Sequence, residues 1–165
     1  MSADVDLPTA ATITLRPMRE DDLDAVASLE AVSHAAPWSE GNFRDAIAAG
    51  YAAIVGEADG AVVVYGVLML GSGEAQLLNL TVAPPARRRG LGRRLLRRLL
   101  ADARGAGSEQ CFLEVRESNH AAIALYLRED FAPVARRAGY YPPAAGTDRR
   151  EDALVMRRTL RDGDG

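Results

Sequence analysis

The sequence contains no lysine, and all 20 of its basic residues are arginine. That is a bias of composition, of the kind a source genome imposes, and it signals no function by itself. Cysteine occurs once, at Cys111. A single cysteine excludes an intramolecular disulfide and a cysteine-based zinc site. Within the apolar stretch Cys111-Phe112-Leu113 it reads as a buried structural thiol rather than a nucleophile. The only histidines, His34 and His120, are isolated and have no cluster of ligands beside them, so no metal is expected. An excess of positive charge is also missing: the formal net charge is −3 and the pI about 5.4. A general nucleic-acid binder carries a basic domain, so that class is excluded. A mildly acidic chain instead favours basic partners through long-range attraction. The longest apolar run, Ala61 to Leu70, is too short to span a bilayer, and no membrane association is expected. The start, Met1-Ser2-Ala3-Asp4-Val5-Asp6, has neither the basic nor the apolar stretch of a secretory signal. The expected location is the cytoplasm.

What is present suits one globular domain. The chain has 165 residues, 48% hydrophobic and 26% charged, enough to build a core. It shows no internal repeat, long linker or low-complexity block, so a single domain over residues 12–160 is expected. The polar, small-residue ends, 1–11 and 161–165, are expected to be flexible. Thr12 to Arg16 alternates like a first strand. Asp21 and Asp22 open a helix carrying Leu23, Val26, Ala27 and Leu29, where acidic residues suit the positive end. Ser39 is a good N-cap for a second short helix through Phe43 and Ile47. Tyr51 to Val55 and Ala61 to Leu70 form strands joined at Asp59-Gly60, a strong hairpin turn. Gly71-Ser72-Gly73 makes the next turn, and Gln76 to Val82 is a fourth strand stopped by Pro84-Pro85. Leu91, Leu95 and Leu99 lie one helical turn apart, widened by Leu96, Leu100 and Ala103 into an amphipathic stripe. Gln110 to Val115 is a fifth strand. Ser118 or Asn119 caps a helix from His120 to about Glu129. Phe131 to Ala135 and Asp152 to Met156 are the last strands. The fold class is α/β, a mixed central sheet flanked by helices.

Between the fourth strand and the leucine helix lies Arg87-Arg88-Arg89-Gly90-Leu91-Gly92-Arg93. Two glycines allow a tight turn and a close approach of ligand to backbone. The first N–H groups of the helix lack internal partners, and with the helix dipole they suit a pyrophosphate. The arginines add charge-assisted hydrogen bonds to phosphate. The loop is neither a Rossmann fingerprint, which has a third glycine, nor a Walker A loop, which has Gly-Lys-Ser/Thr. Taken alone it is equally a glycine turn with a solvated arginine face.

Its setting decides between the two. Arg-x-x-Gly-x-Gly after the strand Leu77-Leu78-Asn79-Leu80-Thr81-Val82 resembles the acetyl-CoA-binding motif of the GNAT superfamily of N-acetyltransferases. The resemblance runs from about Thr12 to Thr159. It implies the GNAT (acyl-CoA N-acyltransferase) fold, with the loop holding the CoA pyrophosphate through Arg87, Arg88, Arg89, Gly90, Leu91, Gly92 and Arg93. It also implies a bulge in the preceding strand, which would splay from the next strand and bond the pantetheine arm around Leu80, Thr81 and Val82.

A second block, Phe112-Leu113-Glu114-Val115-Arg116-Glu117-Ser118-Asn119 followed by Ala121-Ala122-Ile123-Ala124-Leu125-Tyr126, resembles one branch of that superfamily. Its bacterial members, the RimI enzymes, acetylate the N-terminal alanine of small-subunit ribosomal protein eighteen. Pro37-Trp38-Ser39-Glu40, Tyr140-Tyr141-Pro142 and Arg150-Glu151-Asp152-Ala153 resemble further pieces of the same branch. The implied acceptor is the basic N-terminal segment of a ribosomal protein.

The chemistry agrees with the residues. An N-terminal amine, with an ordinary pKa of about 7.7–8.0, needs only a modest base near neutral pH. Glu114 lies in an otherwise apolar strand, where partial burial would raise a carboxylate and improve it as a base. The resemblance gives it that role, acting through water; a strand-end Glu in a surface salt bridge is the plainer alternative. Asn119, Ile123 and Tyr126 share one helical face. Asn119 can cap the helix and reach the cofactor arm. Tyr126, protonated at neutral pH, can donate to the departing thiolate, the general-acid role the resemblance implies; otherwise it simply packs the helix. Trp38 either shapes a peptide channel or anchors the second helix, while Tyr140 and Tyr141 border the substrate entrance or pack their own loop. One departure stands out: Asp130 occupies a position where the branch usually has glycine, in a helix-ending turn of left-handed backbone. Two other readings remain: a GNAT enzyme for lysine or a small amine, and a non-catalytic module that binds acetyl-CoA.

Overall fold

The computed structural model describes residues 8–143 and 146–160. The expected flexibility of the chain ends falls mostly on 1–7 and 161–165, which lie outside the described residues. Seven strands form one mixed sheet: β1 (Thr14–Pro17), β2 (Ala52–Ala58), β3 (Ala61–Leu70), β4 (Glu74–Val82), β5 (Gln110–Arg116), β6 (Ala132–Tyr141) and β7 (Glu151–Thr159). Their spatial order is β1-β2-β3-β4-β5-β7-β6. The four helices are α1 (Leu23–Ser33), α2 (Glu40–Ala48), α3 (Leu91–Gly105) and α4 (His120–Arg128). The mixed sheet with flanking helices is the α/β architecture expected.

Local chemistry accounts for the boundaries. Asp59 and Gly60 both have positive φ, 51° and 79°, the twist a two-residue hairpin needs between β2 and β3. Ser39 caps α2 by accepting from the Asn42 N–H at 3.1 Å, and the Asn42 side chain accepts from the Ser39 N–H at 2.9 Å. β6 runs far beyond the predicted Phe131–Ala135, so that Tyr140 and Tyr141 lie on a strand and not in a loop. The reason is that β6 is an edge strand exposed along most of its length, with no alternation for a sequence to display.

Two irregularities in the sheet shape the site. β3 pairs with β4 in a register that shifts between Val67↔Asn79 and Leu68↔Leu77, leaving Leu78 as the extra residue of a bulge. β4 and β5 pair in parallel only from Glu74↔Gln110 to Leu77↔Leu113. Beyond Leu77 the two strands part, and β4 continues paired only to β3.

Each sheet face carries its own core. On one face α3 lays down Leu91, Leu95, Leu96, Leu99 and Leu100, all fully buried with Leu68, Leu77, Leu113 and Met156. Each such leucine stabilises the fold by about 1.5–3 kcal/mol. Gly66 on β3 lets this helix sit close, since a Cβ there would meet Leu99 Cδ1 at 2.9 Å. Tyr126, Ile123 and Leu125 of α4 join the same cluster. On the other face Leu23 and Val26 of α1 and Phe43 of α2 pack on Val55, Tyr65 and Val67.

Candidate active site

The parted strands form a V whose first wall is β4 and the loop after it. Among the described residues its backbone groups on the side away from β3 have no strand partner beyond Leu77. The Arg87 guanidinium donates through Nε to the Val82 carbonyl at 3.2 Å, folding the loop back on the strand end. Arg88 has φ 65° and Gly90 φ 77°, two left-handed stations on either side of Arg89 in a tight turn. Gly90 occupies the N-cap of α3, and among the described residues no side chain caps that terminus. The first N–H groups of a 15-residue helix are thus available to an anion. Arg88 and Arg89 form no ion pair among the described residues, and the Arg88 side chain is exposed at this turn.

Arg93 is a partial correction. Its guanidinium turns away from the loop to the Glu129 carboxylate, which Arg97 also reaches at 3.1 Å. Glu129 is buried, which alone would raise its carboxyl. The hydrogen bonds from Arg97 and Arg93 outweigh burial and hold it below the ordinary range. Arg93 therefore clamps α3 to the end of α4, and only its backbone remains for the loop. Spacing along one helix gave no sign of a partner 36 positions away. Arg94 is likewise engaged, at the carbonyls of Ala10 and Ile13.

The second wall is β5 and α4. Asn119 is the cap of α4, its side chain accepting from the Ala122 N–H at 3.2 Å; Ser118 donates instead to Glu151 at 2.9 Å. Tyr126 is 7% exposed, with its ring edge-on to Phe131 at 5.8 Å. Burial, with smaller contributions from neighbouring Tyr141 and Cys111, pushes its phenol well above the ordinary tyrosine value, so the proton stays on. Cys111 is fully buried and its thiol is pushed up to about 12 by burial, as a structural thiol requires.

Glu114 lies one residue beyond the last β4–β5 pair. Its neighbours Leu113 and Val115 enter the leucine core, so Glu114 faces the opposite side of the sheet. It is mostly buried, 15% exposed, but its surroundings are more polar than its strand suggested. Arg137 Nε stands 3.3 Å from its Oε1. The Tyr140 phenol is raised above its ordinary value chiefly by its interaction with the same carboxylate. Arg137 also lies over the Tyr140 ring at 5.4 Å, Tyr140 meets Tyr141 edge-on at 5.0 Å, and Arg116 covers Tyr141 at 4.6 Å. These neighbours come from β6, whose extent the sequence concealed. The Trp38 ring packs on Phe43 at 5.1 Å, tying the α1–α2 connection to α2.

Sequence reasoning missed one group entirely. Glu30 of α1 is 2% exposed and sits under the β4 wall. It accepts from the Tyr65 hydroxyl at 2.7 Å, from Asn79 Nδ2 at 3.1 Å and from the Trp38 N–H at 3.0 Å. His34 Nε2 lies 3.4 Å from its Oε1 and 2.8 Å from Thr81 Oγ1. The signal was legible: Glu30 falls three and seven positions after Ala27 and Leu23, on the apolar face of α1, where a carboxylate needs partners.

Among the described residues no cluster of His, Cys, Asp and Glu could hold a metal ion, and no helix is long and apolar enough to cross a membrane. Residues 19–131 match the acetyltransferase (GNAT) family. The chain is 37% identical over 143 residues to the [ribosomal protein bS18]-alanine N-acetyltransferase of Escherichia coli, covering 87% of this chain and 95% of that protein. It superposes on the crystal structure of the Escherichia coli ribosomal-protein-S18-alanine N-acetyltransferase with a TM-score of 0.83 at 35% identity, covering 93% of this chain and 97% of the other. It also shares the fold of yncA from Salmonella typhimurium, solved with its cofactor acetyl-CoA, with a TM-score of 0.75 at 22% identity.

Proposed function

This chain belongs to the acetyltransferase (GNAT) family, and on that premise we propose that it transfers acetyl from acetyl-CoA to the N-terminal α-amine of a protein. The acceptor is the N-terminal alanine of small-subunit ribosomal protein bS18, the substrate named for the Escherichia coli relative. The reaction takes place in the cytoplasm, within one domain spanning residues 12–160. The observation that carries the reading is the parting of β4 from β5 immediately after the Leu77–Leu113 pair, beside an uncapped helix terminus. Bound there, acetyl-CoA supplies the activated thioester.

The chain's own residues do the rest. The open edge of β4 around Leu80, Thr81 and Val82 offers hydrogen bonds to an extended amide-bearing arm. Arg87, Arg88, Arg89 and the N–H groups of Gly90, Leu91, Gly92 and Arg93 hold phosphate. Asn119 fixes the start of α4 and thereby the direction of Tyr126. Glu114 takes a proton from the acceptor amine through water, and Tyr126 gives its proton to the departing CoA sulfur. An α-amine near pKa 7.7–8.0 asks little of the base, consistent with a carboxylate that is ion-paired rather than isolated. Tyr140 and Tyr141 border the acceptor's entrance on the β6 side. The acidic net charge of −3 favours encounter with a basic N-terminal segment.

The test is mass spectrometry of three acceptor sets with acetyl-CoA: an Ala-first basic peptide, the same peptide N-blocked but containing lysine, and small amines. The reading requires acetylation of the free N-terminus alone. Transfer to lysine or a small amine overturns the acceptor. Binding of acetyl-CoA with no transfer to any acceptor leaves only a cofactor-binding module.

A further inference from the structure

His34 ends α1 in extended conformation and starts the connection to α2. Its ring crosses to β4, where Nε2 lies 2.8 Å from Thr81 Oγ1. The Thr81 hydroxyl has one proton and gives it to Asn79 Oδ1 at 2.7 Å. Its oxygen must therefore accept from His34. The other neighbour of Nε2, the Glu30 carboxylate at 3.4 Å, also only accepts. Both partners assign the hydrogen to Nε2. In the neutral imidazole the lone pair then sits on Nδ1. Nδ1 makes no hydrogen bond among the described residues, and the side chain is 37% exposed. A histidine oriented by two acceptors and open at its other nitrogen is set up to receive a hydrogen bond from something outside the protein.

Its place in the fold indicates what that is. Leu80 and Val82 enter the leucine core, so Thr81 between them faces the α1 side of the sheet. Glu114 faces the same side from β5. Both lie past the point where the strands part, Glu114 one residue beyond Leu113 and Thr81 four residues beyond Leu77. His34 over Thr81 and the Glu114–Tyr140 pair thus flank one opening on the acceptor side, from opposite walls.

We propose that His34 is a positioning residue for the acceptor: its Nδ1 accepts a hydrogen bond from the N–H of the incoming α-amine, with Glu30, Asn79 and Thr81 fixing the ring. This deepens, and rests on, the amine-acetylating function proposed above. An amine keeps N–H donors whether charged or neutral, so the contact survives its deprotonation at Glu114. The titratable groups around the ring are Glu30 from α1, in contact, and Tyr65 from β3, one step further through Glu30.

His34→Gln separates this role from a structural one. A glutamine amide can still donate to Thr81 but has no acceptor where Nδ1 stands. The expected result is a rise of about tenfold in KM for the acceptor. kcat, KM for acetyl-CoA and the melting temperature should change little. An acceptor KM unchanged in His34→Gln overturns the proposal. If His34→Gln melts early, His34→Asn, whose Oδ1 sits near the Nδ1 position, should recover acceptor KM; failure to recover it also overturns the proposal. The two levels stay distinguishable. Should wild-type protein acetylate a small amine instead of the Ala-first peptide, the peptide reading fails, and the same KM comparison is made on that amine.

Discussion

The two faces of the sheet are built on opposite principles. The α3/α4 face is a leucine core whose polar elements lie at its rim: the arginine-glycine loop, the Asn119 cap, the buried phenol of Tyr126 and the Glu129 carboxylate, which two arginines of α3 hold. The α1/α2 face buries a carboxylate, Glu30, together with Tyr65 and Thr81, and holds them by side-chain hydrogen bonds. One face tolerates any apolar shape that fits, whereas the other requires each donor to find its acceptor. A flexible cofactor arm can lie along an open strand edge over the first. Discriminating one amine from another needs directional groups, and the second face supplies them.

The sharpest way to break this comparison is Tyr126→Phe. The change removes one hydroxyl from the leucine face, and the ring still packs on Phe131. A structural tyrosine would leave turnover intact. A general acid would not: kcat should fall about 100-fold, roughly 2.7 kcal/mol of barrier, with acceptor KM and melting temperature nearly unchanged. Because burial raises this phenol above the ordinary tyrosine value, its proton is present in the folded enzyme throughout pH 6–9 and is lost only at higher pH. Tyr126 deprotonation should therefore cause no alkaline fall in wild-type kcat below pH 9, as a pH-rate profile can check.

The same contrast explains what the sequence made legible. The cofactor wall is written in consecutive residues, Arg87 to Arg93, and its helix in a clean leucine repeat, so loop, helix and the neighbouring strand could be placed in advance. The bulge at Leu78 and the splay were foreseen only through family resemblance; no local pattern marks them. The acceptor wall joins residues 30, 34, 65, 79 and 81 with 114, 137 and 140, and such contacts leave no periodic trace. Arg93 shows the reverse failure. Position in a motif suggested a phosphate ligand, but a buried Glu129 on another helix holds its guanidinium.

Tyr65→Phe sharpens the comparison on the other face, with a smaller effect. Tyr65 is fully buried and donates to Glu30 at 2.7 Å. Removing the hydroxyl leaves a buried carboxylate one donor short, at a cost of about 1.5–3 kcal/mol. Chemical denaturation should show that loss. It should also show a larger one, about 2–5 kcal/mol, for Leu99→Ala on the leucine face, where a cavity replaces packing. The distinguishing readout is kinetic. Tyr65→Phe should raise acceptor KM by loosening Glu30 and with it His34, whereas Leu99→Ala should leave acceptor KM alone. Equal effects of both on acceptor KM would mean that the two faces are not separate in function.

The smallest effect is expected at Asp130, where the two faces play no part. Asp130 follows α4 with φ 68°, and its N–H bonds the Leu127 carbonyl at 3.2 Å, the left-handed turn that ends a helix. Aspartate tolerates this backbone better than most residues but carries a Cβ that glycine lacks. Glycine would relieve that strain while losing more freedom on folding, and the two terms oppose. The strain should win by a small margin, with Asp130→Gly stabilising the protein by about 0.5–1 kcal/mol in denaturant unfolding. Glu129, immediately before it, keeps both arginine partners through its own side chain, so the Arg93 clamp and the direction of Tyr126 should be unaffected. Turnover should therefore match the wild type. A gain in stability accompanied by altered kcat would show that this turn, and not only the α4 cap at Asn119, sets the position of Tyr126.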